Sequence, residues 1–200
     1  MKRIFTALEL SPNAKLVPAY YSLMLRETYP ELAAKLFEPS RNMHITLNFL
    51  GELDDDSVDM VCDAVRSVTE RTPYFTYDFG GLDIFSESKI LKLPVRENMQ
   101  LWLLHDELAE RLSPLKNISV EWNRDYAPHV TVARFKSLTG LRFMEIWDEV
   151  QGCHHQMPGI GRFQVALDVC VLQSRRDEDG EVFYIPLERY PLKTGKYHES

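Results

Sequence analysis

The sequence lacks most of the features that mark secreted, membrane-spanning and zinc-binding proteins. Its cysteines, Cys62, Cys153 and Cys170, are odd in number and widely spaced, which fits neither a disulfide framework nor a zinc site. No apolar run is long enough to span a bilayer, and the first residues lack the apolar stretch and cleavage site of a signal peptide. We therefore expect buried free thiols and a cytoplasmic protein.

Glycine-rich loops and a positive net charge are also lacking. No glycine-rich loop follows a strand-like segment, which excludes the common phosphate-binding loops. The net charge of −7 disfavours a protein that coats long nucleic acids, although a few local cations are enough to bind one phosphodiester. Cys153-His154-His155 suggests a metal, but adjacent side chains diverge and no ligand spacing accompanies them, which favours a solvated loop. The sequence predicts no metal site and no cofactor.

What the sequence does have is one strand pattern that occurs twice. Residues 42–50 read Asn-Met-His-Ile-Thr-Leu-Asn-Phe-Leu, and residues 127–135 read Ala-Pro-His-Val-Thr-Val-Ala-Arg-Phe. Side chains alternate between the faces of a strand, so His44 shares a face with Thr46, and His129 shares one with Thr131. A single pair would indicate an ordinary half-buried strand. The duplication predicts two imidazoles and two hydroxyls that face one cleft.

The other segments alternate between strand and helix patterns. Further strands are predicted at residues 3–10, 74–79, 82–85, 89–95, 163–173 and 182–189, and helices at about 12–28, 32–37, 54–68, 98–112 and 139–151. This order predicts an α+β fold with mostly antiparallel sheet and the helices outside. No low-complexity linker divides the chain. We expect one bilobal domain over residues 1–192 with a central cleft, and a flexible tail over 193–200.

At the two motifs the chain resembles the 2H phosphoesterases, a superfamily named for two His-x-Thr motifs. Within it, the chain is most similar to the RNA 2′,3′-cyclic phosphodiesterases, also called 2′-5′ RNA ligases (LigT-like). Residues 42–52 and 128–134 are similar to the two motifs, residues 3–8 to the opening strand, and residues 171–187 to the closing hairpin. The resemblance covers residues 3–192. It implies two pseudo-symmetric lobes, a substrate with 2′,3′-cyclic phosphate ends, and no metal requirement.

One position departs from the family pattern. Members often carry a tryptophan in the strand that matches residues 90–93, where this chain has Lys92. If that position lines the cleft, the substrate preference of this protein differs from that of its relatives.

The two motifs suit the opening of a cyclic phosphate to a 2′-phosphomonoester. This reaction needs a base for water and an acid for the departing ribose oxygen, and histidine performs either task because its ordinary pKa is about 6.5. We assign His44 as the proton donor and His129 as the proton acceptor, and the reverse ligation would exchange these roles. Thr46 and Thr131 can donate hydrogen bonds to the non-bridging oxygens, where negative charge builds.

Three further residues are candidates for substrate binding. Arg134 can pair with the phosphate, but strict alternation places it on the face away from His129, so the strand must end or bulge before it. A surface ion pair is the alternative. Asn48 follows Thr46 by two residues and is expected on the cleft face, unless it is a plain polar strand residue. Phe5 is a candidate for stacking on a base, with core packing as the alternative.

Other functions fit the same residues. The enzyme could act on 2′-5′ linked oligonucleotides or small cyclic nucleotides. The protein could also be a non-catalytic module that binds RNA ends or nucleotides, although binding alone needs no acid–base pair. A metal-dependent phosphohydrolase fits least, because no Asp/His cluster with ligand spacing accompanies the motifs. We expect a monomer that acts on RNA with 2′,3′-cyclic phosphate ends.

Overall fold

The computed structural model describes residues 1–115, 118, 120, 126–151 and 163–194. The segment Cys153-His154-His155 and residues 195–200 of the expected tail lie outside the described residues.

The described part of the chain forms an α+β fold in which the strand pairs of its sheets are antiparallel, which confirms the predicted fold class. The strands are β1 (Lys2–Glu9), β2 (His44–Leu53), β3 (Phe75–Asp78), β4 (Asp83–Phe85), β5 (Ile90–Pro94), β6 (His129–Arg134), β7 (Phe163–Ala166), β8 (Asp168–Arg176) and β9 (Val182–Pro191). The helices are α1 (Pro12–Thr28), α2 (Asp55–Thr69), α3 (Met99–Leu112) and α4 (Gly140–Val150), with short 3₁₀ turns at Ala34–Leu36 and Ser40–Asn42.

Each α-helix begins where a polar side chain satisfies a free backbone N–H. The capping acceptors are Ser11, Asp54, Asn98 and Thr139, and each accepts a hydrogen bond from the N–H three residues later. The first turn of α2 also carries Asp55 and Asp56, whose charges suit the positive end of the helix dipole.

The two motif strands lie in different sheets and meet each other. One sheet has the order β2-β1-β8-β9 and another the order β4-β5-β6, while β3 pairs with β7. Helices α2 and α3 pack on the four-stranded sheet, and α1 packs on β6 and β7. Ile45 and Val130, which lie between the histidine and threonine of each motif, are fully buried in one shared core. The core therefore holds each motif strand with its histidine turned away from it.

One predicted strand is two strands. Residues 163–173 were expected to form a single strand, but β7 ends at Ala166 and β8 begins at Asp168 in another sheet. Between them Leu167 is partly exposed, and its carbonyl accepts a hydrogen bond from the Leu192 N–H. Both halves carry alternating apolar residues, so the pattern alone does not reveal the change of sheet.

Both motif strands carry an irregularity at the same position. In β2 the pairing with β1 skips Leu47, and in β6 the pairing with β5 skips Val132. Each skipped residue follows the motif threonine directly, and the burial pattern is the same in both strands from the histidine to the fourth residue after it. Such a bulge reverses the alternation of side chains beyond it.

The bulges decide which residues beyond the threonines face the cleft. In β6 the bulge turns Arg134 to the side of His129, as its predicted role requires. In β2 it turns Asn48 away from the cleft, so the expectation that Asn48 lies on the cleft face is wrong. Asn48 is 2% exposed, its amide oxygen accepts a hydrogen bond from the Thr6 hydroxyl, and its amide nitrogen donates to the carbonyl of His105 in α3.

We therefore expect Asn48→Ala to destabilise the fold rather than to weaken substrate binding. The change leaves buried partners without their hydrogen bonds, which costs about 1–3 kcal/mol in the free energy of unfolding, measured by urea denaturation. Asn13→Ala, a matched change at an exposed position of α1, should alter this free energy by less than about 0.5 kcal/mol. An Asn48→Ala variant with the stability of the parent but a raised KM for a cyclic phosphate would instead show that Asn48 contributes to substrate binding.

Candidate active site

The motif strands open onto one cleft of about 590 Å³. Its walls come from both larger sheets, and the structure brings the predicted residues His44, Thr46, His129, Thr131 and Arg134 together in it. Phe5 also lines this cleft, which runs between the two sheets.

Each imidazole is oriented by a backbone carbonyl that lies just before its own strand. Nδ1 of His44 lies 2.6 Å from the carbonyl oxygen of Asn42, and Nδ1 of His129 lies 2.7 Å from that of Ala127. A carbonyl only accepts hydrogen bonds, so Nδ1 must carry the proton in both rings. In the neutral rings Nε2 therefore holds a lone pair, and the Thr46 hydroxyl lies 3.2 Å from Nε2 of His44. The two rings are thus prepared for proton transfer through Nε2.

The surroundings of both rings disfavour their charged form. Burial lowers the pKa of His44 to about 4, and the positive charge of Arg134 acts in the same direction. Burial also lowers the pKa of His129, with Lys92 and Arg134 as further causes. Both imidazoles are therefore largely neutral near pH 7 in this structure. The negative charge of a phosphodiester in the cleft would raise both pKa values again.

Arg134 is held by a carboxylate that the sequence did not reveal as functional. Its Nε donates to Glu38 Oε2 at 3.0 Å, and an Nη lies 3.4 Å from the Thr131 hydroxyl. Glu38 is 8% exposed and also accepts from the Asn42 side-chain amide at 3.0 Å. The same amide donates to the Val182 carbonyl. Glu38 thereby connects the residue that orients His44 with the end of the other motif strand.

Tyr126 makes a second connection between the motif strands. Its hydroxyl donates to the backbone carbonyl of Thr46 at 3.1 Å, while its ring stacks on His105 with the centroids 3.9 Å apart. The next residue, Ala127, supplies the carbonyl that orients His129. A tyrosine before the second motif carried no recognisable signal, because its partner is a backbone atom 80 residues earlier in the chain.

Aromatic rings support His44 from the side. Phe5 is 3% exposed, and its ring centroid lies 5.0 Å from that of His44. Tyr184 packs edge-on against His44, with the centroids 4.9 Å apart, and also against Phe5. Phe5 therefore lies mainly among side chains and has little surface for a base. Phe49, which follows the bulge of β2 and is 47% exposed at the cleft, offers the larger aromatic surface.

Lys92, where the family often carries tryptophan, lies on β5 as the cross-strand partner of Thr131. The residue is 6% exposed, its ammonium group bonds the carboxylate of Asp83, and Nζ lies 4.5 Å from the centroid of the Phe85 ring. Phe85 packs edge-on against His129. Lys92 thus affects the cleft through its charge and through Phe85.

Two kinds of feature were not found in the described part of the chain. No group of three or more His, Cys, Asp or Glu side chains there is arranged to hold a metal ion. None of the helices there is long and apolar enough to cross a membrane.

Cys62 and Cys170 are buried free thiols.

Comparison with known proteins agrees with the motifs. The family described as the 2′-5′ RNA ligase superfamily matches residues 25–177. The RNA 2′,3′-cyclic phosphodiesterase of Aquifex aeolicus is 30% identical over 116 residues, which is 56% of this chain and 61% of that protein. The protein of the same name from Archaeoglobus fulgidus is 28% identical over 139 residues, 67% of this chain and 73% of that protein. The chain thus spans less than two thirds of the Aquifex relative.

The solved structure of E. coli LigT in its apo form has the same fold. It superposes with a TM-score of 0.71 at 21% identity and covers 96% of this chain and 98% of that chain. The family match extends over more than half of the sequence and includes both motif strands. The protein therefore belongs to the 2′-5′ RNA ligase superfamily.

Proposed function

We propose that the protein is a metal-independent RNA 2′,3′-cyclic phosphodiesterase that opens cyclic phosphate ends to 2′-phosphomonoesters. One observation carries this proposal: two imidazoles face one cleft that also contains Arg134, each oriented through Nδ1 by the carbonyl two residues earlier and each followed by a threonine two residues later. The activity named for the Aquifex and Archaeoglobus relatives supports the same reaction.

The reaction requires two proton transfers at one phosphorus. Nε2 of His129 accepts a proton from water, the water oxygen bonds to phosphorus, and the bond from phosphorus to the ribose O3′ breaks. His44 donates a proton from Nε2 to O3′ as it leaves. The hydroxyls of Thr46 and Thr131 and the guanidinium of Arg134 stabilise the negative charge on the non-bridging oxygens.

Substrate binding has to prepare the proton donor. The pKa of His44 is about 4 in this structure, so the ring is neutral before the substrate binds. A bound phosphodiester brings a negative charge next to the ring and offsets the charge of Arg134. Both effects favour the imidazolium form and raise the pKa of His44 towards the range in which it can donate.

The proposal also covers the oligomeric state, base stacking, the reverse reaction and the location of the protein. Both histidines come from one chain, so a monomer contains the whole site, and residues 1–192 act as one unit. Phe49 gives the terminal base a surface for stacking. The same groups, with their roles exchanged, allow the reverse 2′-5′ ligation. An RNA substrate and the free thiols of Cys62 and Cys170 fit a cytoplasmic location.

The product of a cyclic-ended RNA tests the reaction. A hexanucleotide with a 2′,3′-cyclic phosphate, incubated with the protein in excess EDTA, should yield only the 2′-phosphate, as judged by chromatography against both isomers. His44→Ala and His129→Ala should each lower kcat by about 10²–10⁴, because each removes one proton transfer. Asn13→Ala, the exposed change in α1, serves as the control.

Three outcomes contradict this proposal. Loss of activity in EDTA would require a metal, and near-parental turnover by either cleft variant would exclude the two-histidine mechanism. Turnover of 2′-5′ linked oligonucleotides with none of cyclic ends would favour the alternative substrate.

A substrate whose leaving group needs no proton shows which histidine is the general acid and which is the general base. With sulfur in place of O3′ in the cyclic phosphate, the leaving thiolate departs without protonation. The loss of kcat/KM caused by His44→Ala should then be smaller by about tenfold or more than with the oxygen substrate. The loss caused by His129→Ala should be the same with both substrates. The measurement is the ratio of kcat/KM values for the oxygen and sulfur substrates. The opposite pattern would exchange the two roles.

A further inference from the structure

We propose that the cleft binds backbone phosphates on the 5′ side of the cyclic end, so that a single RNA strand of several nucleotides is preferred to a cyclic mononucleotide. The inference rests on the proposed function and names its substrate class. It concerns a phosphate track, which we define as the side chains of Arg3, Lys136, Arg175 and Arg176.

The charge of the cleft is opposite to that of the whole chain. The net charge of the sequence is −7, yet five cationic and only two acidic residues occur among the described residues that line the cleft. The cationic residues are Arg134 and the four of the phosphate track, and the acidic residues are Glu38 and Glu52. A concave surface lined by one sign of charge attracts ligands of the opposite sign.

The cations of the phosphate track are not neutralised by ion pairs within the described part of the chain. Arg134 is paired with Glu38, but the ion pairs between described residues include no member of the track. All four of its side chains are exposed. Arg176 donates to the carbonyl of Gly180 at 2.9 Å, which orients the guanidinium without neutralising it. The acidic residues 177–179, in the turn between β8 and β9, do not line the cleft.

The sheet arranges these cations in succession away from the reacting centre. On β1, Arg3 lies two residues before Phe5, which packs on His44, so it follows on the same face at about 7 Å along the strand. Ser174 is the cross-strand partner of Arg3, and Arg176 lies two residues further along β8. On the opposite wall Lys136 follows Arg134 by two residues. The positive surface therefore extends well beyond the space that one phosphate needs.

A flexible polyanion is the ligand that suits such a track. Arginine binds phosphate oxygens through two parallel N–H groups, and exposed Phe49 beside the track gives a base a surface for stacking. Contacts to backbone phosphates carry no sequence information. We therefore expect affinity to increase with the length and charge of the RNA and not to depend on its sequence.

The test compares a cyclic-ended hexanucleotide with 2′,3′-cyclic CMP. The parent protein should have a higher kcat/KM for the hexanucleotide, and the double variant Arg3→Gln/Arg176→Gln should reduce the ratio of the two values by about tenfold or more, as expected for two lost charge-assisted contacts. Arg66→Gln/Arg71→Gln removes two exposed arginines of the α2 region that are paired with Asp63 and Glu107, and should leave the ratio unchanged.

Salt dependence gives an independent readout. On single strands the slope of log affinity against log salt changes by about −0.7 for each phosphate contacted, so the hexanucleotide should show a steeper slope than the mononucleotide, and the double variant a shallower one. The 2′-phosphate-ended hexanucleotide and 2′-CMP, measured by binding, provide the same comparison without turnover.

The outcomes separate the inference from the proposed function. Turnover of both substrates with equal kcat/KM and equal salt slopes overturns the phosphate track and leaves the phosphodiesterase intact. If neither the hexanucleotide nor the cyclic mononucleotide is turned over, the proposed function is overturned. In that case, equal binding of the two product forms overturns the track as well, and tighter, salt-sensitive binding of the hexanucleotide that is lost in the double variant supports it.

Discussion

A hydrogen bond to the backbone carbonyl two residues earlier, just before each motif strand, orients the imidazole that faces the cleft. Nδ1 donates to the carbonyl two residues earlier, Asn42 for His44 and Ala127 for His129. This bond fixes the tautomer before a substrate binds, so that Nε2 is the nitrogen available for proton transfer. Much of the site keeps these carbonyls in place. The side chain of Asn42 is bound by Glu38 and Val182, and the residue before Ala127 is tied to the other motif strand.

The bulges after the two threonines determine what else reaches the cleft. Without them Asn48 would face the cleft and Arg134 would face the core. With them, Arg134 and Phe49 occupy the same place in their two strands, five residues after each histidine. One motif strand thus contributes a cation, which suits a phosphate, and the other an aromatic ring, which suits a base. The pseudo-symmetry of the strands extends to the bulge after each threonine, whereas β2 also skips Leu50 and the chemistry of the two sides differs.

The sequence predicted what depends on local patterns. The motif strands and the shared faces of His44 with Thr46 and of His129 with Thr131 follow from spacing and residue type. The position of Asn48 was missed because a bulge leaves no mark on the alternation of residues before it. The break at Leu167 was missed because both neighbouring strands are apolar. The role of Glu38 depends on Arg134, 96 residues later, and no spacing rule predicts such a contact.

The central claim is that two imidazoles approach one phosphorus from opposite sides through Nε2. A crystal structure of the protein with a uridine 2′,3′-cyclic vanadate, which mimics the five-coordinate transition state, tests it directly. We expect Nε2 of His44 and Nε2 of His129 within hydrogen-bonding distance of the two opposite apical oxygens, and the hydroxyls of Thr46 and Thr131 at equatorial oxygens. A complex in which either ring points away from the vanadate, or in which both rings contact the same apical oxygen, would contradict the account.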